Sequence, residues 1–244
     1  MDKRLQHIAE HFDEMKIGPD EPFRFHCTEC GKCCIHREDI LLSPYDLFRA
    51  ARELGMRPLD FFKRYCESYI GQDSRIPIIR LKPQGNVRRC PLLKDRHCMI
   101  HKAKPSVCAM FPVGRGVAAP KGSDLRDVKE ASIQFILQPP ECGDDSETHT
   151  VWEWLASFGM EVEDPIYVAW QRYMMFAHDK TVKLEKALSP EEMDRFWTLT
   201  SFCVYINYDT KEEFLPQYQK NLQDAVKLIQ AYENAALGVK PNAG

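Results

Sequence analysis

Residues 27–34 read Cys27-Thr28-Glu29-Cys30-Gly31-Lys32-Cys33-Cys34, a CxxCxxCC run. Two residues between cysteines let neighbouring thiolates converge on one ion from a tight turn. Gly31, directly after the second cysteine, permits the backbone angles such a turn needs. Zinc and iron–sulfur centres both use this spacing. A chain segment organised around such a turn can do with little hydrophobic core, because ligation free energy becomes folding free energy. The adjacent side chains of Cys33 and Cys34 tend to point in different directions, which predicts two centres or one bridged multinuclear centre.

Further along lie Cys90-Pro91, Cys98 and Cys108, with Cys142 beyond them. The candidate metal ligands are therefore Cys27, Cys30, Cys33, Cys34, Cys90, Cys98, Cys108 and Cys142, enough for two four-thiolate sites. The chain holds ten cysteines in 244 residues, and nine of them fall between Cys27 and Cys142. The opening MDKRLQHIAEHFDEM scatters charges among single apolar residues and has no signal-peptide apolar region. The expected compartment is the reducing cytosol, where many cysteines point to metal or redox chemistry before disulfides. Cys66 shares a helical stripe with Leu59, Phe62 and Tyr69, and Cys203 stands at helical spacing from Phe196; both are expected in the core. Of the neighbouring histidines, His26, His36, His97 and His101, the last has the most ligand-like spacing, in Cys98-Met-Ile-His101. With eight thiolates to hand, all four are expected beside a metal site, not in it. A C2H2 finger is excluded although CTECGK resembles its opening: Ser43 stands where the His pair should begin, and the histidine after His36 is His97.

The expected fold class is α+β. A small, irregular, cysteine-rich part with short strands packs with a mainly α-helical C-terminal part. The division is read at residues 1–148, with a core at 23–145, and 149–244, with the loop-forming QPPECGDDSETHT at 138–150 between them. All four tryptophans fall after residue 150. A short amphipathic helix is expected around Leu5, Ile8, Phe12 and Met15. Ser43-Pro44 opens another, and one is expected from Pro58 to Tyr69. Ile76, Ile78, Ile79 and Val87 favour strands that prolines keep short. Thr150 caps a helix, Asp164-Pro165 opens a longer one, and capping boxes are expected at Ser189-Glu192 and Thr210-Glu213. The last helix is expected over about 211–237, with a possible break at Pro216. No apolar run reaches the ~18 residues that cross a bilayer.

The combination of CxxCxxCC, a helix opened by Ser-Pro, then Cys-Pro-Leu-Leu, a cysteine, and Lys-Pro-Ser-Val-Cys-Ala-Met-Phe-Pro at 104–112 resembles the YkgJ-type cysteine-cluster family over roughly residues 23–145. That family is described as a zinc- or iron-chelating domain. The resemblance implies a metal-binding role for Cys27, Cys30, Cys33, Cys34, Cys90, Cys98 and Cys108, with Cys142 matching a later cysteine. Lys104 and Ala109 depart from the family, which commonly has Arg before the Pro and a basic residue after the Cys. Flagellin lysine methylases share the cluster, so the resemblance also admits a metal-dependent protein-modifying enzyme.

Charge adds one more feature. Residues 75–129 hold thirteen Lys or Arg and three Asp, net +10 in a chain of net −3. Such cations stabilise thiolates or meet an anionic or protein partner. Nucleic acid is weakly supported, since Phe111 is the one aromatic residue there to stack on a base. No P-loop, GxSxG or HExxH occurs. The expected function is a cytosolic protein holding an iron–sulfur cluster, or zinc as the second choice, in its cysteines. The alternatives are the enzyme just named and an interaction module with purely structural zinc.

Overall fold

Short antiparallel pairings carry the cysteine-rich part. The computed structural model describes residues 8, 10–35, 40–118 and 132–238; it is 45% helix and 20% strand. Strands β1 (Lys16–Ile17), β8 (Ser132–Leu137) and β7 (Val113–Ala118) form a three-stranded sheet in that order. The other pairs are β2 (Pro22–His26) with β9 (Asp144–Thr150), β3 (Cys66–Ile70) with β4 (Pro77–Leu81), and β5 (Leu93–Lys94) with β6 (His97–Cys98). The fold is α+β, as the sequence implies.

The helices are α1 (Pro44–Glu53), α2 (Pro58–Tyr65), the single turn α3 (Ser106–Ala109), α4 (Val151–Ala156), α5 (Pro165–Leu184), α6 (Pro190–Ser201) and α7 (Phe214–Leu237). Their starts are written locally. Ser43, Thr150 and Ser189 each make a full capping box, with Asp46, Glu153 and Glu192 respectively. These boxes satisfy N–H groups that have no partner within the helix. Asp164 accepts from the Tyr167 amide, and Pro165 supplies the fixed φ suited to a first turn.

Three expectations change. The helix from Pro58 ends at Tyr65, because Cys66-Glu-Ser-Tyr-Ile pairs residue for residue with Leu81 back to Pro77. Cys66 is thus buried on a strand, not on a helical stripe. Thr210 caps nothing: the Arg52 guanidinium donates to its carbonyl at 2.8 Å, and its hydroxyl leans on the Met56 carbonyl at 3.5 Å. The last helix instead starts at Phe214 and runs on without a break, with Pro216 in the first turn, where a missing N–H costs nothing. Most of the expected N-terminal helix lies outside the described residues, and Phe12–Met15 form a turn.

Two main cores result. The larger gathers Leu47, Ala50 and Phe61 from α1 and α2 and Ile79 and Leu81 from β4. Trp170, Tyr173, Leu184, Phe196 and Ile229 complete it from α5, α6 and α7. It therefore draws on residues from both sides of position 148. The smaller joins Phe23 and Phe25 of β2 to Met110, Val113, Phe135, Val151, Trp154 and Leu155. The cysteine cavity lies between these two cores.

Candidate metal centre

Four chain segments bring thiols to one place, and each is held by a local device. The first is the exit of β2. Phe23 and Phe25 alternate inward on this strand and are buried in the smaller core, which sends the chain out at Cys27. Glu29 and Gly31 then take left-handed backbone conformations, with φ of 51° and 71°. This coils residues 32–34 into a 3-10 turn, in which the Cys34 amide donates to the Gly31 carbonyl at 3.0 Å.

The second segment is docked onto the first by backbone: the Cys90 amide donates to the Cys34 carbonyl at 2.8 Å. From there the chain makes the tight β5–β6 hairpin. Asp95 and Arg96 turn it with positive φ, and Leu93 pairs with Cys98. The third segment is α3, which carries Cys108. The fourth is the entry to β9. A Cβ on Gly143 (φ 75°) would lie 2.4 Å from the His26 carbonyl oxygen and 2.7 Å from the Phe25 ring, so glycine is required where this chain crosses β2. That crossing sets Cys142 against the Cys27–Cys30 turn.

The result is a cavity of about 80 Å³ walled by Cys27, Cys33, Cys34, Cys90, Cys98, Cys108 and Cys142. Cys30 completes the group: the Cys142 thiol donates to its sulfur. All ten cysteines are free thiols. Neither Cys66 nor Cys203 reaches the cavity; Cys203 packs part-buried against the larger core.

Electrostatics within the group run in two directions. The Cys34 thiol donates to Cys33, and this bond, then burial, then the nearby Cys33, Cys90 and Cys108 push its pKa far up. Burial is also the first cause that raises Cys90 to about 11 and Cys142 to about 11, and it raises Cys98 as well. Cys30 moves the other way, because its sulfur accepts from the Lys32 amide and also from that of Gly143. Burial and close neighbours thus favour the protonated form of Cys34, Cys90, Cys98 and Cys142; a thiophilic metal would displace those protons on binding.

The remaining lining divides into an aromatic wall and a charged rim. Phe25 meets Phe111 edge-on at 5.9 Å and Trp154 at 5.6 Å, and Trp154 meets Phe158 at 5.4 Å. The Trp154 indole donates to the Met110 carbonyl at 2.9 Å, which locks the wall. The rim holds Glu29, Arg96, His97, His101 and Lys104. Lys104 lies 5.2 Å above the Phe158 ring and helps hold down the pKa of Cys98. His101 Nε2 is 3.7 Å from Glu29 Oε1, and burial lowers the imidazole pKa. His97 is turned to the Asp95 carbonyl at 2.8 Å, and His26 to Asp144 at 3.3 Å. His36 lies outside the described residues.

Among the described residues, no group of three or more His, Cys, Asp or Glu side chains stands in an arrangement that could itself hold a metal ion. The thiols ring a space instead of closing on a point. The donor set nonetheless fits thiophilic metal, since seven cysteines line one cavity together with hydrophobic side chains.

The sequence reading did not find the aromatic wall. Phe23 and Phe25, two apart and just before Cys27, carried the available signal: period-two alternation entering the cysteine turn. Of the basic segment, Arg75 is paired with Glu185 at 2.8 Å, Arg80 with Glu67 at 2.8 Å and Arg115 with Asp164 at 2.8 Å. Residues 119–129 of that segment lie outside the described ones.

Comparison with known families finds a match. Residues 26–142 match the family model CxxCxxCC, described as a zinc- or iron-chelating domain. No curated protein and no solved structure matched the chain. The matched span begins one residue before Cys27 and ends at Cys142, so it includes all eight cysteines grouped at the cavity. No helix among the described residues is long and apolar enough to cross a membrane.

Proposed function

We propose that the eight grouped cysteines hold a thiolate-ligated metal centre, an iron–sulfur cluster in the first reading and zinc in the second. The observation that carries this is the convergence of seven thiols, from four separate segments, on one cavity. Eight thiolates exceed what one tetrahedral ion takes, which favours a bridged or multinuclear group. Two sets support such a division. Cys142 is flanked by Cys33, Cys30 and Cys27, whereas Cys34 is flanked by Cys33, Cys90 and Cys108, and Cys90 by Cys98 and Cys33. Cys33 is common to both sets.

In this reading, the protein supplies three things. The left-handed turn at Glu29 and Gly31 and the Gly143 crossing aim the thiolates. The Phe25–Phe111–Trp154–Phe158 wall limits water, which tunes a bound metal through its surroundings. Arg96 and Lys104 offset the net negative charge of thiolate ligation. A bound cluster would supply electron transfer; bound zinc would supply a structural cross-link. A reducing compartment, the cytosol, suits thiols kept available for metal.

The test is anaerobic purification followed by metal and acid-labile sulfide analysis and a visible spectrum. The expected preparation is brown, releases sulfide on acidification and bleaches with dithionite. A colourless anaerobic preparation with stoichiometric zinc and no sulfide would replace the cluster with zinc. Absence of both metals would overturn the proposal.

A further inference from the structure

One buried carboxylate joins the helical part to the thiol cavity. Asp46 is only 3% exposed. It sits at the third position of α1, a helix whose Leu47, Ala50 and Ala51 are wholly buried in the larger core. One carboxylate oxygen, Oδ2, accepts from the Ser43 amide at 2.9 Å, as a capping box requires, and from the Ser43 hydroxyl at 2.7 Å. The other, Oδ1, faces away from α1 altogether. It accepts from the Ser106 amide at 2.7 Å and from the Ser106 hydroxyl at 2.7 Å.

Ser106 is the first residue of α3, and Cys108 is the third. The turn is so short that fixing its first amide and hydroxyl fixes the direction of Cys108. A second bond from the same helix holds the chain just upstream, since Arg49 donates to the Lys102 carbonyl at 3.2 Å. Residues 102–106 are thus clamped to α1 at both ends, and the thiol that follows is aimed at the cavity.

We infer that Asp46 is a positioning residue for the thiolate centre, acting through Ser106 to set the placement of Cys108. The inference rests on the proposed metal-binding function. Capping explains only half of the carboxylate's bonds; the two to Ser106 cap nothing in α1. An acidic side chain suits the position because all four partners are donors. An asparagine would turn an NH₂ group toward one of the two serine pairs and leave donors facing donors.

The experiment compares Asp46→Asn, Ser106→Ala and Cys108→Ser in the full chain. It reads metal per folded chain, the rate of metal transfer to a chelator and the thiolate-to-metal absorption band. Far-UV circular dichroism selects folded protein. Asp46→Asn and Ser106→Ala are expected to keep all eight thiols, bind metal about 10- to 100-fold more weakly, as loss of a ligand-orienting partner does, release it faster to the chelator, and shift the absorption band. Ser106→Ala keeps the test open should Asp46→Asn fail to fold. If both folded variants melt at a lower temperature but release metal at the parent rate with an unshifted band, Asp46 is a structural tie only and the inference fails. Cys108→Ser separates the two levels. Unchanged metal content and spectrum there would remove Cys108 from the centre, and the positioning role with it. A Cys108→Ser defect beside unaffected Asp46 and Ser106 variants would overturn the positioning role alone.

Discussion

The helical bundle and the cysteine cavity are specified by different means. In the bundle, α5 and α7 bury Leu184, Ala225 and Ile229 completely. The Lys180–Glu233 ion pair, at 2.6 Å, staples the same two helices. Most instructions there are regular, namely apolar spacing, caps and proline at first turns, with a wider-wound π-helical stretch at Phe202–Ile206. Around the cavity the strands run to seven residues at most. Among the described residues, five non-glycine residues take positive φ, and three of them, Glu29, Asp95 and Arg96, lie in the turns that carry the cavity's cysteines. Such conformations are unfavourable one by one and persist where the surroundings over-determine them. The difference teaches that regular burial shapes one region, whereas in the other a smaller core is joined by special backbone turns that group the thiols.

Metal removal should separate the two most sharply. After verified chelation, residues 23–35, 102–112 and 132–145 are expected to lose hydrogen-exchange protection while α5, α6 and α7 keep theirs. Residues 40–81 should stay with the bundle, because Leu47, Phe61 and Ile79 lie in its core. Uniform loss of protection, or none, would break the comparison.

Next in size is Leu184→Ala. It should destabilise the protein by about 2–5 kcal/mol, the range for a buried leucine, read as a lowered denaturation midpoint. Metal per folded chain should not change. A loss of metal in the fraction that remains folded would show that the two regions are not separable.

Cysteine substitutions sharpen the other side. Cys33→Ser, at the junction of both thiol sets, should lower metal content more than any other single cysteine change. Cys203→Ser, outside the cavity, should leave it at the parent level. Equal effects from the two would dissolve the grouping. The smallest expected effect is that of Ser189→Ala, which removes the hydroxyl from a capping box and should cost about 1 kcal/mol of stability, again with metal content unmoved.

Much of the bundle was legible in the sequence because its signals are short-range. Ser43-Pro44, Thr150, Asp164-Pro165 and Ser189-Pro190 each announce a helix start within four residues. Where local signals competed, the reading slipped: Thr210 offered a capping pattern, but Arg52, 158 positions away, took its carbonyl. The strand at Cys66 was hidden in the same way, since its partner, β4, decides it. In the cavity, cysteine spacing picked out the cysteines that the structure groups. The Phe25–Trp154 contact and the Asp46–Ser106 bonds were not legible, because they join residues about 130 and 60 positions apart through tertiary packing alone.

The central claim is that these sulfurs are metal ligands. X-ray absorption of the purified protein at the edge of whichever metal it carries tests that claim most directly. The account predicts a first shell of sulfur, near 2.3 Å for zinc, that weakens in Cys33→Ser. A first shell made only of nitrogen and oxygen, unchanged in Cys33→Ser, would contradict it.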